Sequence, residues 1–136
     1  MFISVDWRII EDDSLELWNV SRGLYCYSVD DTILYIGKVD GTTVRQRWNR
    51  SAKASLWDFV ENELGIFEHT TTVGLLRLPE SRRFSSQILA DVESLLISEI
   101  QPHGNVACKS TRISRPGVTV TCTGDWFYRQ REFLDL

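Results

Sequence analysis

Three groups of side chains in this sequence are spaced so that together they could grip a metal ion and a phosphate. Two tyrosines ten residues apart, Tyr25 and Tyr35, lie in aromatic and β-branched runs on either side of an acidic turn. That pattern is a hairpin signal. Beyond it come Lys38, Arg45, Arg47, Arg50 and Lys53 against Asp40 alone, although the chain carries a formal charge of −4. A phosphate responds to local potential at short range, so an acidic chain can still present a cationic face. The last residue is Glu93, in a helical segment over 85–101 whose apolar face is Ile88, Leu89, Val92, Leu96, Ile97 and Ile100. At about 100° per residue Glu93 projects inside that apolar arc. A carboxylate there loses hydration and must find a cation, hydrogen-bond donors or a proton. Glu99 projects near the same arc, but from the last turn it can reach water.

The elements that must position these groups follow from the pattern. Neighbours along a strand face opposite ways, so the turn decides whether the phenols meet. A two-residue turn at Asp30 and Asp31 separates them; an odd turn over 30–32 puts Tyr25, Tyr27 and Tyr35 on one face, and this is the expectation. After Lys38 a loop leads to Thr43, an N-cap for a helix running to about Lys53, with Val44 and Trp48 on one face and Arg47 beside them. A second helix is expected over 55–65, a strand over 70–78 before Pro79, and the long helix stops at Pro102. Asn105 follows that stop, then a loop with Lys109, Arg112 and Arg115, then a strand over 118–123. Asp125 is expected to cap a short terminal helix. Residues 1–20 read as a strand or an irregular cap.

Bulk properties fit one domain over 1–136, with a core at about 22–106, an N-terminal cap over 1–21 and a C-terminal extension over 107–136. No apolar run approaches the ~18 residues that span a bilayer, and the start lacks a signal peptide's layout, so no membrane partner is expected. Cys26, Cys108 and Cys122 are odd in number with no close spacing, which favours neither a zinc site nor a disulfide framework. A reducing, cytoplasmic location fits.

Taken in order, Gly23-Leu24-Tyr25, Tyr35-Ile36-Gly37, an arginine on the first helix, Glu93 and Asn105 resemble the GIY-YIG endonuclease family over about residues 22–106. The ten-residue tyrosine spacing, Lys38 after Gly37, and Glu93 twelve residues before Asn105 make the set specific. The resemblance implies an α+β fold, a small three-stranded, mostly antiparallel sheet flanked by helices, here with a C-terminal extension. It implies catalytic roles for Tyr25, Tyr35, Arg47 and Glu93, phosphate contacts from Lys38 and Arg45, and structural or orienting roles for Gly23, Gly37 and Asn105. The arginine can be aligned as Arg47 or Arg45. Helix geometry favours Arg47, three residues after buried Val44, where a guanidinium can lean along the core edge. One departure is Ser51, or Asn49 in the other register, where the family often has His or Tyr.

The activity implied is metal-dependent hydrolysis of DNA phosphodiesters, with Mg2+ or Mn2+ on Glu93 and mostly water as its other ligands. Arg47 and Lys38 would neutralise the phosphate, Tyr35 would act as general base and Tyr25 would position water or phosphate. The alternative is a catalytically weak or inactive nucleic-acid-binding or protein-interaction module on the same fold. A homodimer or a partner subunit is compatible with either.

Overall fold

The computed structural model describes residues 1–11, 13–48, 69–79, 83–102, 104–105 and 118–134. In chain order these form β1 (Phe2–Ile9), α1 (Leu15–Trp18), β2 (Arg22–Val29), β3 (Thr32–Asp40), α2 (Val44–Trp48), β4 (Thr70–Arg77), α3 (Ser86–Ile100), β5 (Thr119–Gly124) and β6 (Glu132–Leu134). The expected helix over 55–65, His103, and the loop carrying Lys109, Arg112 and Arg115 lie outside the described residues. So do Asn49, Ser51 and the part of the first helix beyond Trp48.

The expected three-stranded sheet is replaced by a six-stranded, mixed, curled sheet of order β3-β2-β4-β1-β5-β6. The three strands read from the sequence are present and antiparallel, but they make only one side of it. The other side comes from the two ends of the chain. β1 pairs antiparallel with β4 and parallel with β5, joining Phe2 to Thr119, and β6 pairs antiparallel with β5. Such a parallel pairing closes almost the whole chain, so no local pattern announces it.

Alternation explains which faces are buried. Ile3, Val5 and Trp7 of β1, Leu24 and Cys26 of β2, and Val120 and Cys122 of β5 point inward against Ile88, Leu89, Val92, Leu95, Leu96 and Ile97 of α3. On the outer face a second apolar cluster gathers Ile10, Tyr25, Tyr27, Leu34, Val39, Val44 and Val73. α3 is fixed at both ends. Ser85 caps its start by accepting from Ile88 N at 3.1 Å, and Gln101 ends it in the left-handed region at φ 53° before Pro102. The terminal helix expected after Asp125 is absent. Asp125 instead accepts from Ile9 N at 3.0 Å and donates its own N–H to Trp7 O at 2.8 Å, which ties the end of β5 to β1. Trp126 then packs against Trp7, the rings tilted with centres 5.0 Å apart. Among the described residues no helix is long and apolar enough to cross a membrane.

Candidate functional site

The hairpin turn spans two residues, Asp30 and Asp31, with Asp30 left-handed at φ 51°, and not the odd-length turn expected. The tyrosines meet all the same, because a β-bulge supplies the odd residue. Val29 pairs with Thr32 and Ser28 with Ile33, but Tyr27 pairs with Tyr35, so Leu34 is the extra residue on β3. Past the bulge, Tyr25, Tyr27 and Tyr35 share the outer face with ring centres 5.5–5.8 Å apart. His69 closes this cluster edge-on against Tyr27 at 5.9 Å. From the sequence it reads as a surface or satisfied histidine, since nothing in its local pattern marks it.

The two motif glycines make room for this packing. Tyr25 lies opposite Gly37, and a Cβ built on Gly37 would fall within 2.7 Å of Cε1, Cζ and Oη of Tyr25. The phenol therefore lies across bare backbone at the edge strand of the sheet. Gly23 faces the neighbouring strand, where a Cβ would come within 2.8 Å of Gly74 O. Each glycine is needed for close approach and not for an unusual φ.

Asn105 acts on the same edge strand. Its Oδ1 accepts from Ile36 N at 2.8 Å and its Nδ2 donates to Ile36 O at 2.6 Å, both in a buried setting. Gly104 N donates to Leu34 O at 2.8 Å beside it. The amide side chain thus stands in for one residue of a seventh strand, pairing the open edge of β3 between the two motif residues Tyr35 and Gly37.

α2 begins with the reciprocal cap its sequence encodes. Gln46 N donates to Thr43 Oγ1 at 3.2 Å, and Thr43 N donates to Gln46 Oε1 at 2.8 Å. Val44 is buried in the outer cluster and its N–H reaches Val20 O at 3.0 Å, which docks the helix over the tyrosines. Arg47 then lies near enough to Tyr25 for its charge to favour the phenolate. Its Nε is buried with no hydrogen-bond acceptor among the described residues. Arg45 points elsewhere: its guanidinium lies over the Trp18 ring, 5.4 Å from the centroid, on the exposed side.

Glu93 and Lys38 approach from the other side of the sheet. Ile36 belongs to the inner core and Val39 to the outer cluster, so alternation places Gly37 with the tyrosines and Lys38 with α3. Ser86 at the start of α3 donates to Asp40, and Ile100 at its end lines a pocket with Ile33. Glu93 is midway along α3, seven residues from each end. It is half-buried. The structure therefore gathers Tyr25, Tyr35, Arg47, Gly37 and Asn105 around one point on β3, with Glu93 and Lys38 across the strand from it.

Burial dominates the electrostatics. It raises the Tyr25 phenol above its usual range, and the neighbouring phenols and a hydrogen bond with Tyr35 push the same way while Arg47 opposes them. Tyr27 is raised for the same first reason. A hydrogen bond that holds the Tyr25 proton makes Tyr25 its donor and Tyr35 its acceptor. Burial likewise lowers His69, which favours the neutral imidazole. Among the described residues no group of three or more His, Cys, Asp or Glu is arranged to hold a metal ion.

No protein-family model, no curated protein and no solved structure matches this chain.

Proposed function

We propose that the chain is a metal-dependent DNA endonuclease of the GIY-YIG type, hydrolysing phosphodiesters at the edge of β3. One observation carries this: Tyr25 lies over Gly37 and against Tyr35, within reach of the Arg47 charge, and Arg47 Nε is buried without an acceptor among the described residues. A buried guanidinium donor left unsatisfied is costly, and an anion is what satisfies it. A phosphate seated there would take charge-assisted hydrogen bonds from Arg47 where negative charge develops in the transition state.

The tyrosines divide the proton handling. Tyr25, raised by burial, remains a neutral hydroxyl and donates to Tyr35. Tyr35 is half-buried, and the Tyr25 hydrogen bond would support a negative charge on its oxygen. Tyr35 is therefore the better general base of the pair and Tyr25 its holder. Asn105 positions both by fixing the backbone at Ile36.

Glu93 would hold the divalent ion. Glu93 is half-buried, and magnesium keeps most of its waters and takes few protein carboxylates. When bound, the metal supplies Lewis-acid charge and an activated water. Lys38 projects on the Glu93 side and would add positive charge there. Two buried free thiols, Cys26 and Cys122, are in keeping with a reducing cytoplasm.

A second reading keeps DNA binding and drops the chemistry. It is favoured by the placement of Glu93 and Tyr25 on opposite sides of β3. Incubation with single-stranded, duplex and branched DNA in magnesium or manganese, beside Glu93→Ala, separates the two. Metal-dependent cleavage lost in the variant is the expected result. Salt-sensitive binding with no cleavage under either metal would select the second reading, and cleavage equal in both proteins would move the site elsewhere.

A further inference from the structure

We propose that the outer face of β1 and β4, centred on Arg8 and Arg77, is a second phosphate-contact patch that carries the DNA backbone away from the tyrosines. This rests on the DNA-directed reading above.

The sheet register makes the connection. Gly37 lies opposite Tyr25, Tyr25 opposite Val73, and Val73 opposite Arg8, so the four form one row across β3, β2, β4 and β1. Residues opposed in this way project from the same face. Two strand spacings separate Tyr25 from Arg8, about 10 Å of sheet; Tyr25 and Val73 are themselves buried in the outer cluster, so the row fixes the distance and a backbone would pass above it. A DNA strand carries one charge about every 3.4 Å of helix axis, so a backbone leaving the tyrosines passes Arg8 within a few phosphates.

The charge of the Arg8, Asp6 and Arg77 group is unbalanced, and Glu132, opposite Thr121 on the same face, bounds it on β6. Arg8 and Arg77 both turn to Asp6, with Nη2 to Oδ2 distances of 3.1 and 3.5 Å. Two guanidiniums thus share one carboxylate, leaving a net positive charge among these three residues. The Arg side chains are 58% and 68% exposed while that of Asp6 is 16% exposed, so the cations face solvent and the anion lies beneath them. Arg8 gives Nε and Nη2 to Asp6, at 3.2 and 3.1 Å. Arg77 reaches it through Nη2 alone, which leaves most of its five donors for a phosphate. Exposed ion pairs of this kind hold together by only about 0–1 kcal/mol, so phosphate can compete for them. Thr121 and Thr123, opposite Ser4 and Asp6, extend the patch with hydroxyls. On its other flank Arg8 shares a groove with Asp13 and Glu16, whose charges repel DNA and direct the backbone toward Arg77.

The test is binding of a random-sequence duplex oligonucleotide, without metal, measured by fluorescence anisotropy between 50 and 200 mM salt. Arg8→Gln/Arg77→Gln removes two phosphate contacts, so the slope of log K against log salt should become shallower by about 1.8. Across that salt range the wild type should then lose about 12-fold more affinity than the variant. Asp6→Asn, which releases both arginines, should bind more tightly than wild type. If the double variant is misfolded by circular dichroism, Asp6→Asn decides alone, and affinity equal to or below wild type overturns the patch. Wild-type binding with an unchanged slope in a folded double variant also overturns the patch while leaving the endonuclease reading intact. No salt-dependent binding by the wild type overturns both.

Discussion

Gly37→Ala is the sharpest probe of the packing that builds the site. Gly37 does not occupy a positive-φ region, so alanine is compatible with the backbone and, in a strand, should stabilise by about 0.5–1 kcal/mol. The new Cβ, however, falls within 2.7 Å of three atoms of the Tyr25 ring, which is itself 1% exposed and wedged against Tyr27 and Tyr35. Displacing a buried ring costs about 1–3 kcal/mol. The net effect should be a loss of about 0–2.5 kcal/mol, the difference of those two ranges. Tyr25→Leu removes all three clashing atoms, so in that background Gly37→Ala should be neutral or stabilising. Urea unfolding of the four proteins in this cycle measures a coupling of about 1–3 kcal/mol between the two positions. A coupling near zero would refute the placement of the phenol over Gly37, and with it the explanation of why that position is glycine.

Other perturbations separate the remaining roles. Asn105→Ala leaves Ile36 N–H and C=O without their buried partners and should cost about 2–4 kcal/mol in urea unfolding; a loss under 1 kcal/mol would show that the strand edge is held by other contacts. Arg45→Ala should change stability by no more than about 1 kcal/mol, since its main contact is an exposed cation–π pair with Trp18, and should leave cleavage within about twofold. Burial pushes the Cys26 and Cys122 thiols up to about 12 from an ordinary value of 9.0, so the fold favours their neutral forms. The stability they contribute is complete below about pH 9 and lost as pH rises toward 12, with Tyr25 and Tyr27 adding in the same direction. The urea midpoint should therefore fall between pH 8 and pH 10.5, and an unchanged midpoint would contradict the burial of these groups.

The hairpin, the capped first helix, the strand before Pro79 and the long helix could be read from the sequence because each is specified by neighbours in the chain. Thr43 and Gln46 cap one another across three residues, and Ser85 and Pro102 bracket α3. Strands β1, β5 and β6 could not be assembled the same way. The outward residues of β1 (Phe2, Ser4, Asp6 and Arg8) mix apolar with charged, which blurs its alternation, and its parallel partner lies at the far end of the chain. The shared tyrosine face follows from the sequence only if an odd residue is placed in the turn, whereas the bulge at Leu34 supplies it. A bulge leaves no compositional mark, whereas the turn has acidic residues that draw attention. Glu93 was legible as an anomaly on its helix, yet a helical projection carries no information about which face of a sheet the helix covers. Asp125 shows the same limit: its cap-like pattern is real, but tertiary pairing with Ile9 takes the side chain instead.

The central claim is that a phosphodiester seats against Arg47 beside Tyr25 and Tyr35. Single-turnover cleavage of duplex DNA in magnesium, with binding measured in parallel, tests it in wild type and Arg47→Ala. The account predicts cleavage reduced by about 10²–10³-fold, as for loss of one transition-state donor, while binding changes by less than about tenfold. Equal cleavage rates in the two proteins would contradict it.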